Sequence, residues 1–283
     1  MFYYFNAEMK YYEKPIPIFA NATDEELSDM LAKHYANEID LSTLNGWEVG
    51  ATRLIHLDAM QAPNPNSSNT WPGQDITVVI VAHNHTDLAT PINGHTKAAL
   101  TVQTREVLNN CTDAYNDAGH IYINGDSSYD TTFTKWSNLY MRTFLNSNVY
   151  NAFQSDFKSM IKASKHYRHT EYDTSASEQV TDNIFLPSYP EIFGTISENY
   201  YTDTDPVEGT QFEYYASLDT TNKIKYGNNN GVANGTKQYW WNGSPCSYYD
   251  SSIGYLWCLV NDEGDANFNL GSYNNGLAPA FAM

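Results

Sequence analysis

Basic residues are scarce in this chain. Fifteen Lys and Arg stand against 33 Asp and Glu over 283 residues, a formal net charge of −18. A nucleic-acid surface needs clustered Lys and Arg to neutralise phosphates, and no such cluster is present, so nucleic acid is excluded as a partner. Cysteine is sparse too. Cys111, Cys246 and Cys258 make no disulfide framework, and the expectation is free thiols, with Cys258 buried in a strand. No apolar run approaches the roughly 18 residues of a membrane span, so membrane insertion is not expected. The opening Met1-Phe2-Tyr3-Tyr4-Phe5-Asn6 lacks the basic stretch, apolar core and small-residue cleavage site of a secretory signal. A Gly-x-Ser-x-Gly nucleophile elbow and a Gly-rich loop with nucleotide-cradling spacing are also missing. Enzymatic activity is therefore not expected.

Aromatic residues, by contrast, are abundant: 23 Tyr, 12 Phe and 6 Trp, with 41% hydrophobic content, exclude an intrinsically disordered chain. Residues 1–20 are aromatic-rich and end in Pro15-Ile16-Pro17-Ile18, an extended segment whose rings want a partner. Thr23 and Glu26 form a capping box ahead of Leu27, Met30, Leu31 and His34, which recur at helical spacing. Residues 1–45 thus read as an attachment segment with one capped helix, and 46–283 as the main domain. Within the latter, Thr52–Leu57 reads as a strand. Asp75–Ala82 reads as the strongest strand, apolar on both faces and therefore central. Helical spacing returns at Trp136, Leu139, Tyr140 and Phe144, and again around Val149–Phe153 and Phe157–Ile161. Residues 164–182 are polar, and 195–238 form a Gly/Asn/Thr-rich stretch with little periodicity. The fold class is α+β: a mostly antiparallel sheet with flanking helices and long loops.

Three constellations invite chemistry. In an extended segment His83 and His85 project to one face and Asp87 continues the row, with His95 nearby, so a transition-metal site competes with plain strand-end histidines. Asp262, Glu263 and Asp265 around Gly264 offer oxygens to Ca²⁺, but a tight turn between Tyr255–Val260 and Ala266–Leu270 explains the same residues, and no cofactor is expected. The third is aromatic. Trp240 and Trp241 are strand neighbours facing opposite ways, so one at least points inward. Trp240, Trp241, Asn242, Tyr248, Tyr249, Asp250, Tyr273, Asn274 and Asn275 combine rigid amphipathic rings with short polar groups, the palette of a recognition surface. Tyr248 to Asp250 and Tyr273 to Asn275 read as loop positions. The apolar Leu277–Phe281 reads as a buried strand.

An ordered set of segments carries a family resemblance. They are Trp47-Glu48-Val49-Gly50, Met141-Arg142-Thr143-Phe144, Ile184-Phe185-Leu186-Pro187 with Glu191-Ile192-Phe193-Gly194, and Glu208-Gly209-Thr210-Gln211-Phe212. The clearest are Tyr239-Trp240-Trp241-Asn242-Gly243-Ser244-Pro245 and Gly276-Leu277-Ala278-Pro279-Ala280-Phe281. Together they resemble an uncharacterised domain family common in phages, prophages and surface proteins of gut Gram-positive bacteria. That family usually has an Arg before Ser-Pro, where this chain has Gly243. The last part of the chain also resembles, more loosely, the C-type-lectin-like fold of formylglycine-generating-enzyme relatives.

The resemblance implies a C-type-lectin-like recognition domain on the tail or head exterior of a virion assembled in the host cytoplasm. It implies a homo-oligomer, attached to other virion proteins through residues 1–45 and binding a bacterial surface glycan or protein. The alternatives are a structural decoration or assembly protein of the virion and a glycan-processing enzyme.

Overall fold

The computed structural model describes residues 3–5, 11–13, 15–61, 70–108, 135–170, 173–194, 201, 207–216, 220–229, 231–250, 254–270 and 275–283. Strands β1 (Tyr3–Phe5) and β2 (Tyr11–Glu13) pair with each other and precede helix α1 (Asp24–Tyr35). Strands β3 (Thr52–Leu57), β4 (Met60–Gln61), β5 (Thr70–Trp71), β6 (Gln74–His83), β7 (Asp87–Ile92), β8 (His95–Lys97) and β9 (Leu100–Thr104) follow. A helical stretch comprises α2 (Tyr140–Phe144), a π-helical turn (Leu145–Val149), α3 (Tyr150–Ala152) and α4 (Ser155–Met160). Next come β10 (Ser164–Thr170), β11 (Asp173–Asp182), β12 (Ile184–Phe185), α5 (Tyr189–Phe193) and α6 (Glu213–Ala216). The chain closes through β13 (Lys225–Asn229), β14 (Val232–Gln238), β15 (Trp240–Asp250), β16 (Gly254–Val260), β17 (Ala266–Leu270) and β18 (Ala280–Ala282).

The architecture is mixed α+β with antiparallel strand pairing, built on a five-stranded sheet in the order β12-β18-β9-β6-β3. Both faces of its inner strands β6 and β9 are buried, and their side chains alternate between two cores, while on edge strand β3 Leu54 and His56 are exposed. Ile76, Val78 and Ile80 of β6 join the first core, with α1, α4 and Phe281; Val79 and Val81 join the second, with α5, Tyr215 and β16. A strand covered on both faces favours apolar side chains on both, which is why residues 78–82 of β6 form a hydrophobic run, whereas the equally buried β9 carries Thr101 and Gln103, with the Gln103 amide donating to the Ala278 carbonyl at 2.8 Å. The last strand, β18, is locked between β12 and β9, and Leu277, Ala278, Ala280 and Phe281 have no exposed area.

Helix α1 carries the capping box read from the sequence: Thr23 Oγ1 accepts from the Glu26 N–H at 3.1 Å, and Glu26 Oε2 accepts from the Thr23 N–H at 3.0 Å. Its apolar stripe, Leu27, Met30, Leu31 and Tyr35, belongs to the same core as β6 and β18. The Tyr35 hydroxyl donates to the Met283 carbonyl at 2.8 Å and accepts from the Ala99 N–H at 3.0 Å. Packing therefore gives no boundary at residue 45. No helix among the described residues is long and apolar enough to cross a membrane.

Candidate functional site

Strand β10 buries the polar residues Ser164, His166 and Arg168 on alternate positions, and the largest of them, Arg168, has no exposed area. Its Nη2 donates to the Leu186 carbonyl at 2.8 Å, its Nη1 to the Tyr167 carbonyl at 3.2 Å, and the guanidinium lies 5.9 Å from the Trp136 ring centre. Gly243 makes room for it. A Cβ at 243 would stand 2.6 Å from the Leu186 oxygen and 3.1 Å from Arg168 Nε. Where the family resemblance leads one to expect an arginine, this chain has no side chain, and an arginine from β10 packs against the same spot.

Around Arg168 the resemblance-bearing segments meet in one buried network. Glu208 accepts from the His169 N–H at 2.8 Å, from the Tyr201 hydroxyl at 2.9 Å and from the Ser244 hydroxyl. Ser188 caps α5 and donates to the Glu208 carbonyl at 2.8 Å, while Glu191 Oε2 accepts from the Ser188 N–H at 2.7 Å. Ser244 Oγ accepts from the Tyr189 N–H at 2.8 Å, and the Gly243 N–H donates to the Pro187 carbonyl at 2.8 Å. Burial raises both carboxyl pKa values, and the Arg168 charge opposes the rise at each. Hydrogen bonds hold these segments together, although Arg168 Nε and Asn242 Nδ2 are buried without a partner among the described residues.

A cavity of about 190 Å³ opens onto the network between His85, Lys97, Lys165, Glu191, Glu208 and Thr210. His85 Nε2 lies 3.1 Å from the Thr210 carbonyl and 3.0 Å from its hydroxyl, with the ring edge-on to Phe212 at 4.8 Å. Burial, then the Lys97 charge, lowers the His85 pKa. The Lys97 ammonium pairs with Asp87 at 2.7 Å. This volume is below the roughly 300–1,000 Å³ of ordinary small-molecule sites. Ser164 Oγ and His166 Nε2 stand 2.8 Å apart, the spacing of a nucleophile and its base, but Ser164 has no exposed area to present to a substrate.

The residues singled out from the sequence fall in several places. Trp240 and Trp241 both have no exposed area. They face opposite ways as expected, but each face meets a core, Trp240 the second and Trp241 the first. Asn242 is equally buried, its Oδ1 accepting from the Ser244 N–H at 3.0 Å, and Asn275 is 4% exposed. Buried this way, these four do not meet an external ligand. Tyr248, Tyr249 and Asp250 are not loop residues: their backbone is the far end of β15, with Tyr249 opposite Tyr255 and Asp250 opposite Gly254. Two register shifts in β15, between Trp241 and Pro245 and between Pro245 and Tyr249, break the alternation that would have announced the strand. Tyr273 and Asn274 lie outside the described residues, as does Cys111.

The three histidines do not converge. Asn84 adopts φ 47°, so the segment is not extended and His83 and His85 diverge. His83 Nε2 reaches the Trp47 carbonyl at 2.8 Å, while His95 lies against His34 and Tyr35. The acidic segment is a turn around Asn261, whose Oδ1 accepts from the Glu263 and Asp265 N–H groups at 2.9 and 2.8 Å. Among the described residues no group of three His, Cys, Asp or Glu side chains is arranged to hold a metal ion. Cys246 and Cys258 are buried free thiols, and burial, then the Cys246 thiol beside it, pushes the Cys258 pKa well up.

Residues 120–283 match a protein family described as "Domain of unknown function (DUF6273)", and the chain belongs to that family. No curated protein and no solved structure matches it. The matched span contains Arg168, Glu191, Glu208 and Ser244, so the buried network is the family's part of the molecule.

Proposed function

We propose that the chain is a non-catalytic recognition domain of a phage virion, C-type-lectin-like in its last part, that binds a bacterial surface glycan or protein. The observation that carries the reading is the β15–β16–β17 sheet. Its inner ends are fixed in two cores, and the far end of the β15–β16 hairpin bears Tyr248, Tyr249, Asp250 and Tyr255. A rigid base under a variable tip is how binding surfaces change without unfolding what carries them. The commitment of Glu191 and Glu208 to structural hydrogen bonds supports binding over glycan processing. Attachment to other virion proteins would use the outer side of residues 1–45, where Ile16 is 56% exposed. The resemblance of the ordered segments supports the placement on a tail or head exterior.

One observation favours the structural alternative, a decoration or assembly protein. Leu54, on edge strand β3, is 56% exposed, and Val232 is 63% exposed next to Gly231, which abuts Leu54. Such a pair suits a neighbouring subunit in a homo-oligomer. Incubating labelled, purified chain with Gram-positive gut bacteria and with their isolated wall polysaccharide separates the two. Saturable binding to either supports recognition; binding to neither, together with incorporation into particles, supports the structural role.

A further inference from the structure

A cavity of about 420 Å³ lies at the end of α1, walled by His34, Asn37, Glu38, Asp40, Asn84 and His95. It falls within the size range of small-molecule sites. It is built wholly by residues before position 120, outside the span that matches the family. His34 is 5% exposed, and its Nε2 is buried without a partner among the described residues; the same holds for Nε2 of His95. The two rings stand 5.4 Å apart. A buried polar nitrogen left unpaired, donor or acceptor, costs about 1–3 kcal/mol, so two in one cavity wall want an explanation.

The chemistry of the wall selects the ligand. His34 Nδ1 accepts from the Leu41 N–H at 3.4 Å, so in the neutral ring Nε2 carries the proton and has no lone pair for a metal. Burial, then the neighbouring His95, lowers the His34 pKa, opposed by the Asp40 charge and by the Asn84 side chain, which lies against the ring. Asp40 is held as a carboxylate by the Ser42 hydroxyl and N–H at 2.8 and 3.0 Å, and its pKa is lowered. With Asp40 and Glu38 in the wall and no Lys or Arg among its described residues, an anion would meet uncompensated repulsion. An apolar ligand would leave the imidazole N–H unpaired. Asn37 and Asn84 sit at φ 59° and 47°, a backbone region that Asn tolerates, and this brings two amides to the wall, each both donor and acceptor. A neutral polyhydroxyl compound matches this mixture, because each hydroxyl both donates and accepts.

We infer that the His34–His95 cavity binds a neutral sugar unit, with His34 Nε2–H donating to one hydroxyl and the Asn84 amide and Asp40 facing others. The site is separate from the β15–β16 hairpin and does not depend on it. The test is titration calorimetry on the full chain with glucose, galactose, rhamnose and N-acetylglucosamine, and with zinc chloride and sodium phosphate as comparators. Asn84→Gly keeps the backbone conformation and removes the amide; His95→Ala removes the second ring from a half-exposed position. The expected result is saturable binding of at least one sugar, weakened roughly tenfold by either substitution, the effect of one lost hydrogen bond of about 1.4 kcal/mol. Saturable binding of zinc or phosphate alone, no binding of any sugar, or sugar affinity unchanged in both variants would overturn the inference. Because the measurement uses neither cells nor particles, its failure leaves the hairpin reading standing, and loss of cell binding leaves this site untouched.

Discussion

Lys225 shows how far the fold goes to bury a polar head. It is 1% exposed, donates to the Thr104 carbonyl at 2.7 Å and stands 5.3 Å from the Trp240 ring centre. Burial lowers its pKa from 10.5 to about 7, opposed by the nearby Glu106. Between those values the unfolded chain binds the proton and the folded chain does not, so this lysine's contribution to stability rises with pH and is lost as pH falls towards 7. The slope for one proton is at most about 1.4 kcal/mol per pH unit. Lys225→Met removes the titration, so the melting temperature of the native chain, measured relative to that variant, is expected to climb from pH 7 to pH 9. A constant difference would mean the lysine keeps its proton in the fold. Gly243 offers a steric test. Gly243→Ala drives a methyl to 2.6 Å from the Leu186 oxygen beside Arg168, and overpacking of this kind costs about 1–3 kcal/mol. Chemical denaturation with an unchanged midpoint would show that the strand gives way.

Among the elements, those with strong local signals were legible and those specified by partners were not. The Thr23/Glu26 box gave α1 and an apolar run gave β6, and Thr52–Leu57, read as a strand, is β3. The turn at Asn261 to Asp265 was read correctly because Asx chemistry is local. Strand β10 was missed because it buries Ser164, His166 and Arg168, polar residues whose partners come from distant segments. The π-turn Leu145–Val149 is equally non-local: the Asn146 amide bonds the Arg142 and Ile184 carbonyls and Asp182. The candidate sites suffered the same way, since His34 joins His95 from 61 residues away and only the fold brings them together. The last strand was legible from its apolar content. Phe281 is fully buried, edge-on to Phe153 and Phe157 at 5.3 and 5.8 Å. Phe281→Ala is expected to cost roughly 3–5 kcal/mol, read as a fall in the urea midpoint, and a change near zero would mean the site collapses without cost.

At the scale of the molecule, one sheet whose inner strands are buried on both faces shares a core with the first helix and the last strand. That is why residues 1–45, which read as an attachment segment, are packed as core from Phe19 onward. Deleting 1–45 would remove Phe19 from the Trp47 ring and the Pro17 carbonyl from its indole N–H, and leave the Met283 carbonyl without the Tyr35 hydroxyl. The truncated chain is expected to lose cooperative melting, whereas a sharp transition near that of the full chain would make the segment a separable anchor after all.

The same rigidity supports the central claim, that the far end of the β15–β16 hairpin does the recognising while the sheet beneath it stays fixed. The direct measurement is a paired one on the Tyr248→Ala/Tyr249→Ala double variant: binding to bacterial cells and melting temperature. Binding is expected to fall while the melting temperature stays within a few degrees, a stability change of about 0.5 kcal/mol or less. Unchanged binding with a large loss of stability would contradict the account and make these rings structural.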